Sequence, residues 1–369
     1  MNPADAASAA NVAPAADAAT ASGPAPITAD PVPRVVAWEV TRACNLACRH
    51  CRAEAAPGCD PEELTREEAF SLLADIASFC RPTFILTGGE PLLRPDILDL
   101  ARHGTELGLR VVLSTNGTTL RPETVKALRE AGVKALSVSI DGAEAASHDR
   151  FRGVAGCFSA ALEGMRFARE GGLPFQINTT VTRHNRQELP ALLELACRVG
   201  ATTWDVFLLV PTGRARAADE IPPDEYETVL GWLLEQSDRS GVSIKVTCGP
   251  MYVRLWHQRH GSSVPLTGGG KVPGGCLAGD GFAFVSRTGQ VFPCGYFPVA
   301  AGSIREQPFP VIYRQSGLFR QLRDGGLLRG KCGQCEYGRL CRGCRARALA
   351  VQGDYLAEEP YCTYRPGES

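Results

Sequence analysis

The chain has 369 residues, of which 44% are hydrophobic and 21% charged, the composition of an ordinary soluble globular protein with room for two domains. Its net charge of −1 gives no bulk attraction to nucleic acid, and no stretch approaches the roughly 20 apolar residues of a membrane span. Residues 1–33 are mostly Ala, Pro, Ser, Thr and Asp and lack the basic and apolar regions of a signal peptide. We therefore predict a disordered extension and a cytoplasmic protein, in which 15 cysteines indicate metal binding more than disulfides.

From residue 35 onward, apolar β-branched runs alternate with amphipathic segments of helical period. The first helical segment follows Thr65, which together with Glu68 has the spacing of a capping box. Six strand–helix units in series predict a parallel sheet, and six units instead of eight predict an open, partial barrel. The six strands are predicted at 35–40, 83–87, 110–115, 135–140, 175–181 and 203–209.

The pattern changes after residue 210. A helical stretch (224–239) and a strand-like run (242–248) lead to the Gly-rich TGGGKVPGG (267–275). From Cys276 the chain is rich in Cys, Gly and turns, a composition in which metal commonly replaces a large core. The predicted parts are an extension at 1–33, a barrel at 34–215, a connecting segment at 216–270 and a cysteine-rich domain at 271–369.

Three cysteines follow the first predicted strand within eight positions: Cys44, Cys48 and Cys51, called here the N-terminal triplet. A structural zinc site takes four ligands, so zinc would need a further cysteine from a distance. A 4Fe–4S cluster on three thiolates instead leaves one iron free to bind a small molecule. The triplet alone leaves zinc, an iron–sulfur cluster and plain burial open.

Small and polar residues also end the next three strands, in LTGGEPLLRPD, LSTNGT and LSVSIDG. Gly88 and Gly89 permit close backbone approach, and Glu90 can accept a hydrogen bond from a ligand ammonium. The carboxyl ends of parallel barrel strands share one rim, where barrel enzymes carry their chemistry. This pattern predicts an active site, and it disfavours an iron–sulfur carrier without catalysis.

CxxxCxxC followed by GGEP, STNG and SIDG resembles the radical S-adenosylmethionine (SAM) superfamily over about residues 35–215. The resemblance implies an α/β fold with a partial (β/α)6 TIM-like barrel, in which Cys44, Cys48 and Cys51 hold a 4Fe–4S cluster that binds SAM. It also implies reductive cleavage of SAM to a 5′-deoxyadenosyl radical, fed by a flavodoxin- or ferredoxin-type electron donor. His50 is expected to pack over the cluster without ligating it. The implied SAM contacts are Gly88, Gly89 and Glu90 at the amino group and Asn116 or Ser139 near the ribose or carboxylate.

Seven cysteines follow from residue 276. Their two CxxC pairs favour zinc locally, but seven is one short of two closed zinc sites and three more than one site needs. The array resembles the SPASM domain, which implies two auxiliary 4Fe–4S clusters. By that resemblance, one cluster is held by the C-terminal tetrad: Cys332, Cys335, Cys341 and Cys362. The other is held by the C-terminal trio, with its fourth position unassigned: Cys276, Cys294 and Cys344. The remaining cysteines are expected to be small buried hydrophobes: Cys59, Cys80, Cys157, Cys197 and Cys248.

SPASM-bearing enzymes act on ribosomally made peptides or on tetrapyrroles. Only 33 low-complexity residues precede the barrel, which disfavours an N-terminal peptide-recognition module. INTTVTRHN, FLLVPTGRA and GCLAGDGFAFVSRTGQVFPCGY resemble the heme synthases of the siroheme-dependent pathway and related tetrapyrrole-modifying enzymes, over about residues 35–366. The resemblance implies oxidative decarboxylation of two propionates of iron-coproporphyrin III, giving heme b; a peptide-modifying maturase is the alternative. Candidate cations for the propionates are Arg183, Arg214, Arg216, Arg254, Arg345 and Arg347.

Overall fold

The computed structural model describes residues 31–261 and 274–367. Most of the predicted N-terminal extension and most of the Gly-rich loop lie outside the described residues. From Pro31 on, the chain forms one compact unit. The domain boundaries at 33, 215 and 270 stay predictions.

One ten-stranded sheet organises the described chain. Its strands are β1 (Val35–Glu39), β2 (Thr83–Thr87), β3 (Arg110–Thr115), β4 (Leu136–Ser139), β5 (Phe175–Val181), β6 (Thr203–Leu208), β7 (Ser243–Thr247), β8 (Phe282–Val285), β9 (Gln290–Phe292) and β10 (Gly302–Ser303). Strands β1 to β7 are neighbours in chain order and all pair in parallel, which confirms the six predicted strands and adds the strand-like run before the Gly-rich loop. The predicted partial barrel of parallel strands is therefore present.

The other edge of β1 is covered by the C-terminal region. Strand β8 lies between Cys276 and Cys294 in the chain and pairs with β1 in parallel, and β9 and β10 continue the sheet in antiparallel pairing. The cysteine-rich region thus shares a sheet with the barrel. The four residues FAFV are too short a run to be recognised as a strand from sequence alone.

Helices lie between the strands and after the last of them. They are α1 (Arg66–Phe79), α2 (Ile97–Glu106), α3 (Pro122–Glu130), α4 (Ala145–Arg152), α5 (Cys157–Glu170), α6 (Leu189–Val199), α7 (Pro223–Ser237), α8 (Met251–His260), α9 (Phe309–Gln315), α10 (Gly317–Arg323), α11 (Gly330–Gln334), α12 (Gly338–Cys341) and α13 (Arg345–Gln352). Helices α1 to α7 lie between the parallel strands β1 to β7, α8 follows β7, and α9 to α13 follow the last strand. The predicted capping box of α1 is confirmed, because Thr65 Oγ1 accepts from Glu68 N and the Glu68 carboxylate accepts from Thr65 N. Helix α4 was not expected from the sequence, since its residues are polar and show no amphipathic period.

Side chains alternate across the sheet. One face packs with the helices into a single apolar core, to which the strands contribute buried residues such as Phe84, Leu113 and Ile177. The intervening residues are half-buried and polar, among them Ser139 and Asn178. They give the open barrel a polar inner face at the strand ends. Within the part of the chain described, no helix has the length and apolar character needed to cross a membrane.

Candidate active site and metal centres

The N-terminal triplet lies on the loop after β1, with Cys44 and Cys48 buried and Cys51 half-buried. Leu46 N donates to Cys44 Sγ at 3.4 Å, and Ala55 N donates to Cys51 Sγ at 3.3 Å. Arg152 Nη1 donates to Cys48 Sγ at 3.7 Å. Burial raises the pKa of the Cys44 thiol to about 11, so a positive metal centre is needed to hold that sulfur as a thiolate. Each sulfur of the triplet therefore has a donor placed to stabilise a thiolate.

Two glycines let the triplet loop lie directly on the end of β2. A Cβ at Gly88 would stand 2.7 Å from Thr41 O, and one at Gly89 would stand 2.4 Å from Ala43 O. The backbone pairs there instead, because Gly89 N donates to Thr41 O at 2.8 Å and Glu90 N donates to Ala43 O at 2.7 Å. Any side chain at either glycine would push the cysteine loop off the strand end. The SAM contact expected of these glycines stays a prediction.

Glu90 joins the ends of β2 and β3. Its carboxylate is fully buried and accepts from Thr115 Oγ1 at 2.8 Å, from Asn116 N at 2.8 Å and from Leu92 N at 3.2 Å. Burial raises the pKa of Glu90 to about 7, against the effect of these donors. The structure thus gives Glu90 a positioning role, and its expected contact with the SAM amino group stays a prediction.

Asn116 and Ser139 lie on the same rim. Asn116 Nδ2 donates to Asn45 Oδ1 at 2.8 Å, which ties the end of β3 to the triplet loop. Ser139 is the last residue of β4 and is half-buried on the inner face. All the predicted SAM contacts therefore fall on the ends of β2, β3 and β4, next to the loop that carries the triplet.

A buried ion pair that sequence reasoning missed supports the triplet. Asp141 of the SIDG motif is fully buried and pairs with Arg152 Nη2 at 2.6 Å and with His50 Nε2 at 3.5 Å. Burial opposes ionisation of Asp141, but the Arg152 charge together with the neighbouring histidines and the Thr180 N–H outweighs it and holds the pKa of the carboxyl below its usual value. His50 stacks on Phe151 with ring centroids 4.4 Å apart, and burial lowers its pKa to about 4, so the ring is neutral at pH 7. Arg152 thereby connects Asp141 to Cys48.

The four cysteines of the C-terminal tetrad line one pocket. The pocket is also lined by Arg254 and Lys331, whose charges offset the negative charge that four thiolates would bring. Lys331 Nζ donates to Cys362 O, and burial raises the pKa of Cys341. The structure therefore brings together the four residues that the sequence assigned to one cluster.

The C-terminal trio lies beside the tetrad. Cys344 is part of a small apolar cluster with Val210 and Phe297, and Cys294 packs against its edge. Burial raises the pKa of Cys294, and the neighbouring charges of Cys276 and Cys344 raise it further. Burial and the neighbouring charge of Cys344 raise the pKa of Cys276. The three thiols therefore share one site.

Two family models and two close relatives identify the chain. The radical SAM superfamily model matches residues 38–196, and the SPASM model, an iron–sulfur cluster-binding domain, matches residues 276–345. An AdoMet-dependent heme synthase of Methanosarcina barkeri is 52% identical over 91% of this chain and 98% of its own length. One of Nitratidesulfovibrio vulgaris is 46% identical over 94% of this chain and 97% of its own. The chain belongs to the radical SAM superfamily.

The fold comparison agrees with this assignment. The crystal structure of Streptococcus suis SuiB bound to precursor peptide SuiA matches this radical SAM enzyme with a TM-score of 0.72 at 16% identity, covering 90% of this chain and 76% of that one. The expected cofactors are confirmed as a 4Fe–4S cluster with SAM and further iron–sulfur clusters in the C-terminal region.

The residues present fit these cofactors. Every sulfur of the triplet faces an N–H donor, and the tetrad lines a cavity with cations at its edge. Among residues 31–261 and 274–367, no three His, Cys, Asp or Glu side chains are arranged to hold a single metal ion. A 4Fe–4S cube has a different geometry, since it takes each cysteine on a separate iron.

Most of the six arginines named as candidate cations for the propionates are engaged by the chain. Arg345 and Arg347 are only 3% and 0% exposed. Arg347 pairs with Glu220 and Glu359 and donates to backbone carbonyls, and Arg254 is buried beside Glu227. Arg214 donates to Cys48 O at 2.9 Å and Ala55 O at 2.7 Å, and Arg183 donates to Glu220 O. Of the six, Arg183 and Arg216 are exposed. Arg254, Arg345 and Arg347 hold the enzyme together, because burying an arginine requires that its donors be satisfied by the chain.

Arg345 and Glu359 connect the trio to the tetrad. Arg345 N donates to the Cys276 thiol of the trio, while Arg345 Nη2 lies 3.9 Å from Cys332 Sγ of the tetrad. Glu359 Oε2 accepts from Cys344 N at 2.7 Å, and Glu359 N donates to Cys332 Sγ at 3.2 Å. Each of the two residues therefore reaches both cysteine sets, and no spacing in the sequence marks that role.

The expectation of five buried spare cysteines is partly wrong. Cys157 is buried next to the triplet and Cys80 is half-buried, but Cys59 and Cys197 are exposed. Cys248 is half-buried and packs against the apolar cluster that contains Cys344.

Proposed function

We propose that this enzyme oxidatively decarboxylates propionate side chains of iron-coproporphyrin III to vinyl groups, giving heme b. The observation that carries the proposal is the 52% identity to the M. barkeri heme synthase over 91% of this chain and 98% of that protein. Identity at this level over almost the whole length extends through both the barrel and the cysteine-rich region. The electron donor we propose is of the flavodoxin or ferredoxin type, and the location is the cytoplasm, where thiols stay reduced and available to bind clusters.

The proposed reaction sets what the chain has to provide. Conversion of one propionate into a vinyl group releases CO2, one hydrogen atom and one electron. When bound, the triplet's cluster and SAM supply the carbon radical that takes the hydrogen atom from an unactivated C–H bond. The chain must hold the carboxylate, orient the adjacent C–H bond and offer an acceptor for the electron. We assign the last task to the clusters of the trio and the tetrad.

A row of polar residues across four strands supports a substrate site on the inner face. Ser139, Asn178, Asp205 and Lys245 are register partners on β4, β5, β6 and β7, so their side chains point to the same face. Lys245 Nζ donates to Asp205 Oδ2 at 2.7 Å, and its side chain is 60% exposed. The Asp205 charge raises the pKa of Lys245, so the ammonium stays protonated. We propose that Lys245 binds a propionate carboxylate. The polar row extends from Lys245 to Ser139 at the end of β4, where SAM is expected to bind.

Mass spectrometry of the tetrapyrrole tests the proposal. The enzyme is incubated anaerobically with SAM, a reductant and iron-coproporphyrin III, and two successive losses of about 46 Da are expected, one formic acid equivalent for each propionate. Formation of 5′-deoxyadenosine without any change in tetrapyrrole mass would contradict the substrate. Modification of a ribosomally made peptide under the same conditions would favour the alternative maturase activity, for which the likeness to SuiB supports the fold alone.

A further inference from the structure

We propose that Cys248 is the fourth ligand of the cluster held by the C-terminal trio, so that this cluster has no iron open to substrate. Cys248 lies outside the matched cluster-binding domain and has no CxxC partner in the sequence. It directly follows β7, at the same rim of the sheet as the N-terminal triplet. The barrel itself would thus supply a ligand to the C-terminal cluster.

The contacts of Cys248 place it in the trio's site. Its thiol is in hydrogen-bonding contact with the Cys344 thiol, and Cys294 is near enough to act on it electrostatically. Cys248 and Cys294 both pack against the apolar cluster that contains Cys344. Four thiols therefore meet at this place, which is the full set that a 4Fe–4S cluster takes from cysteine.

The backbone at Cys248 is a second, independent observation. Cys248 has φ of 61°, in the left-handed region that glycine adopts without strain, and among the described residues only Glu54 and Arg342 are other non-glycine cases. Arg347 holds the Cys248 backbone in this conformation, because Arg347 Nη1 donates to Cys248 O at 3.0 Å and Arg347 Nη2 donates to Leu209 O at 2.8 Å. Strained backbone of this kind persists where it places a functional side chain.

A closed ligand set limits what the trio's cluster does. With four thiolates, none of its irons is left to bind a propionate carboxylate. The cluster can still accept an electron, and Cys276 N donates to Cys341 O at 3.0 Å, which links the trio's site directly to the tetrad. In the proposed reaction, carboxylate binding then rests on protein groups, and the trio's cluster serves electron transfer.

The test compares Cys248→Gly with wild type and with the control Cys80→Ala. Cys80 is also half-buried, but it belongs to neither the trio nor the tetrad. Glycine suits the left-handed backbone, so the substitution removes the thiol without adding strain. All proteins are reconstituted anaerobically and saturated with SAM, which occupies the open iron of the triplet's cluster. Iron and acid-labile sulfide are counted, and 3Fe–4S clusters formed by mild ferricyanide oxidation are quantified by electron paramagnetic resonance.

We expect Cys248→Gly either to form about one extra 3Fe–4S cluster per chain on oxidation or to lose about four irons per chain, because three thiolates leave one iron exposed. Cys80→Ala should match wild type in both measurements. Equal iron content and equal signals in Cys248→Gly and wild type would overturn the proposal. The measurement needs no tetrapyrrole, so its outcome is independent of whether iron-coproporphyrin III is the substrate.

Discussion

Replacing Lys245 by Met tests whether the polar row on the inner face binds substrate. Lys245 Nζ has three donors and gives one to Asp205 at 2.7 Å, which leaves two for a carboxylate. A charge-assisted hydrogen bond contributes about 1.5–3 kcal/mol, which we reduce to about 1–2 kcal/mol because the side chain is 60% exposed. That free energy corresponds to a rise in KM of about 5- to 30-fold. The value of kcat should change little, since the contact is made equally before and during the reaction.

The assay measures initial rates of vinyl product formation against the concentration of iron-coproporphyrin III. The matched control is Lys126→Met, because Lys126 is a more exposed lysine on α3 that pairs with Glu130 at 3.9 Å. The variant at position 245 should remain folded, since Asp205 still accepts from Thr247 Oγ1 at 2.7 Å. A KM within about twofold of wild type, the same as that of the control, would refute the assignment of Lys245.

Three further predictions concern the clusters. Replacing all three cysteines of the N-terminal triplet by Ala should remove one of about three 4Fe–4S clusters and abolish SAM cleavage. If the C-terminal sites contained zinc and no inorganic sulfide, the count of three clusters would be contradicted. Cys294→Ala should still form 5′-deoxyadenosine but yield little vinyl product, and normal product yield would leave its cluster a structural role. Arg152→Lys should make the reduction potential of the triplet's cluster more negative, because a hydrogen bond to Cys48 Sγ is weakened. Redox titration followed by paramagnetic resonance measures it, and a shift of equal size in the exposed Arg150→Lys would argue against a specific effect.

The parallel strands and the cysteine sets were predictable because their signals are local. Buried parallel strands are continuous apolar runs, and the triplet and the tetrad contain closely spaced cysteines. The roles of Arg152 and Cys248 were not predictable. Arg152 ends a polar helix without amphipathic period, and Cys248 is an isolated cysteine whose partners come from distant positions in the chain.

The structure also narrows the list of candidate arginines. A basic residue near a motif such as CRGCRARAL looks available for an anionic substrate, yet Arg345 and Arg347 are buried and fully engaged by the chain. Arg347 pairs with Glu220 and Glu359, and Arg345 donates to Tyr355 O and Ala357 O. Only the folded structure shows these partners. Lys245, by contrast, has an exposed side chain but sits in a strand with no motif around it.

The position of β8 couples the trio's cluster to the edge of the barrel sheet. Strand β8 lies between two cysteines of the trio and closes the edge of β1, the strand that leads directly into the triplet loop. Arg287, just after β8, pairs with Glu39 of β1 and with Asp60, and a cluster on Cys276 and Cys294 would fix the two ends of the segment in addition. We therefore expect chains without the trio's cluster to expose the edge of β1 more often, and to aggregate and be cleaved by proteases more readily than chains that carry it.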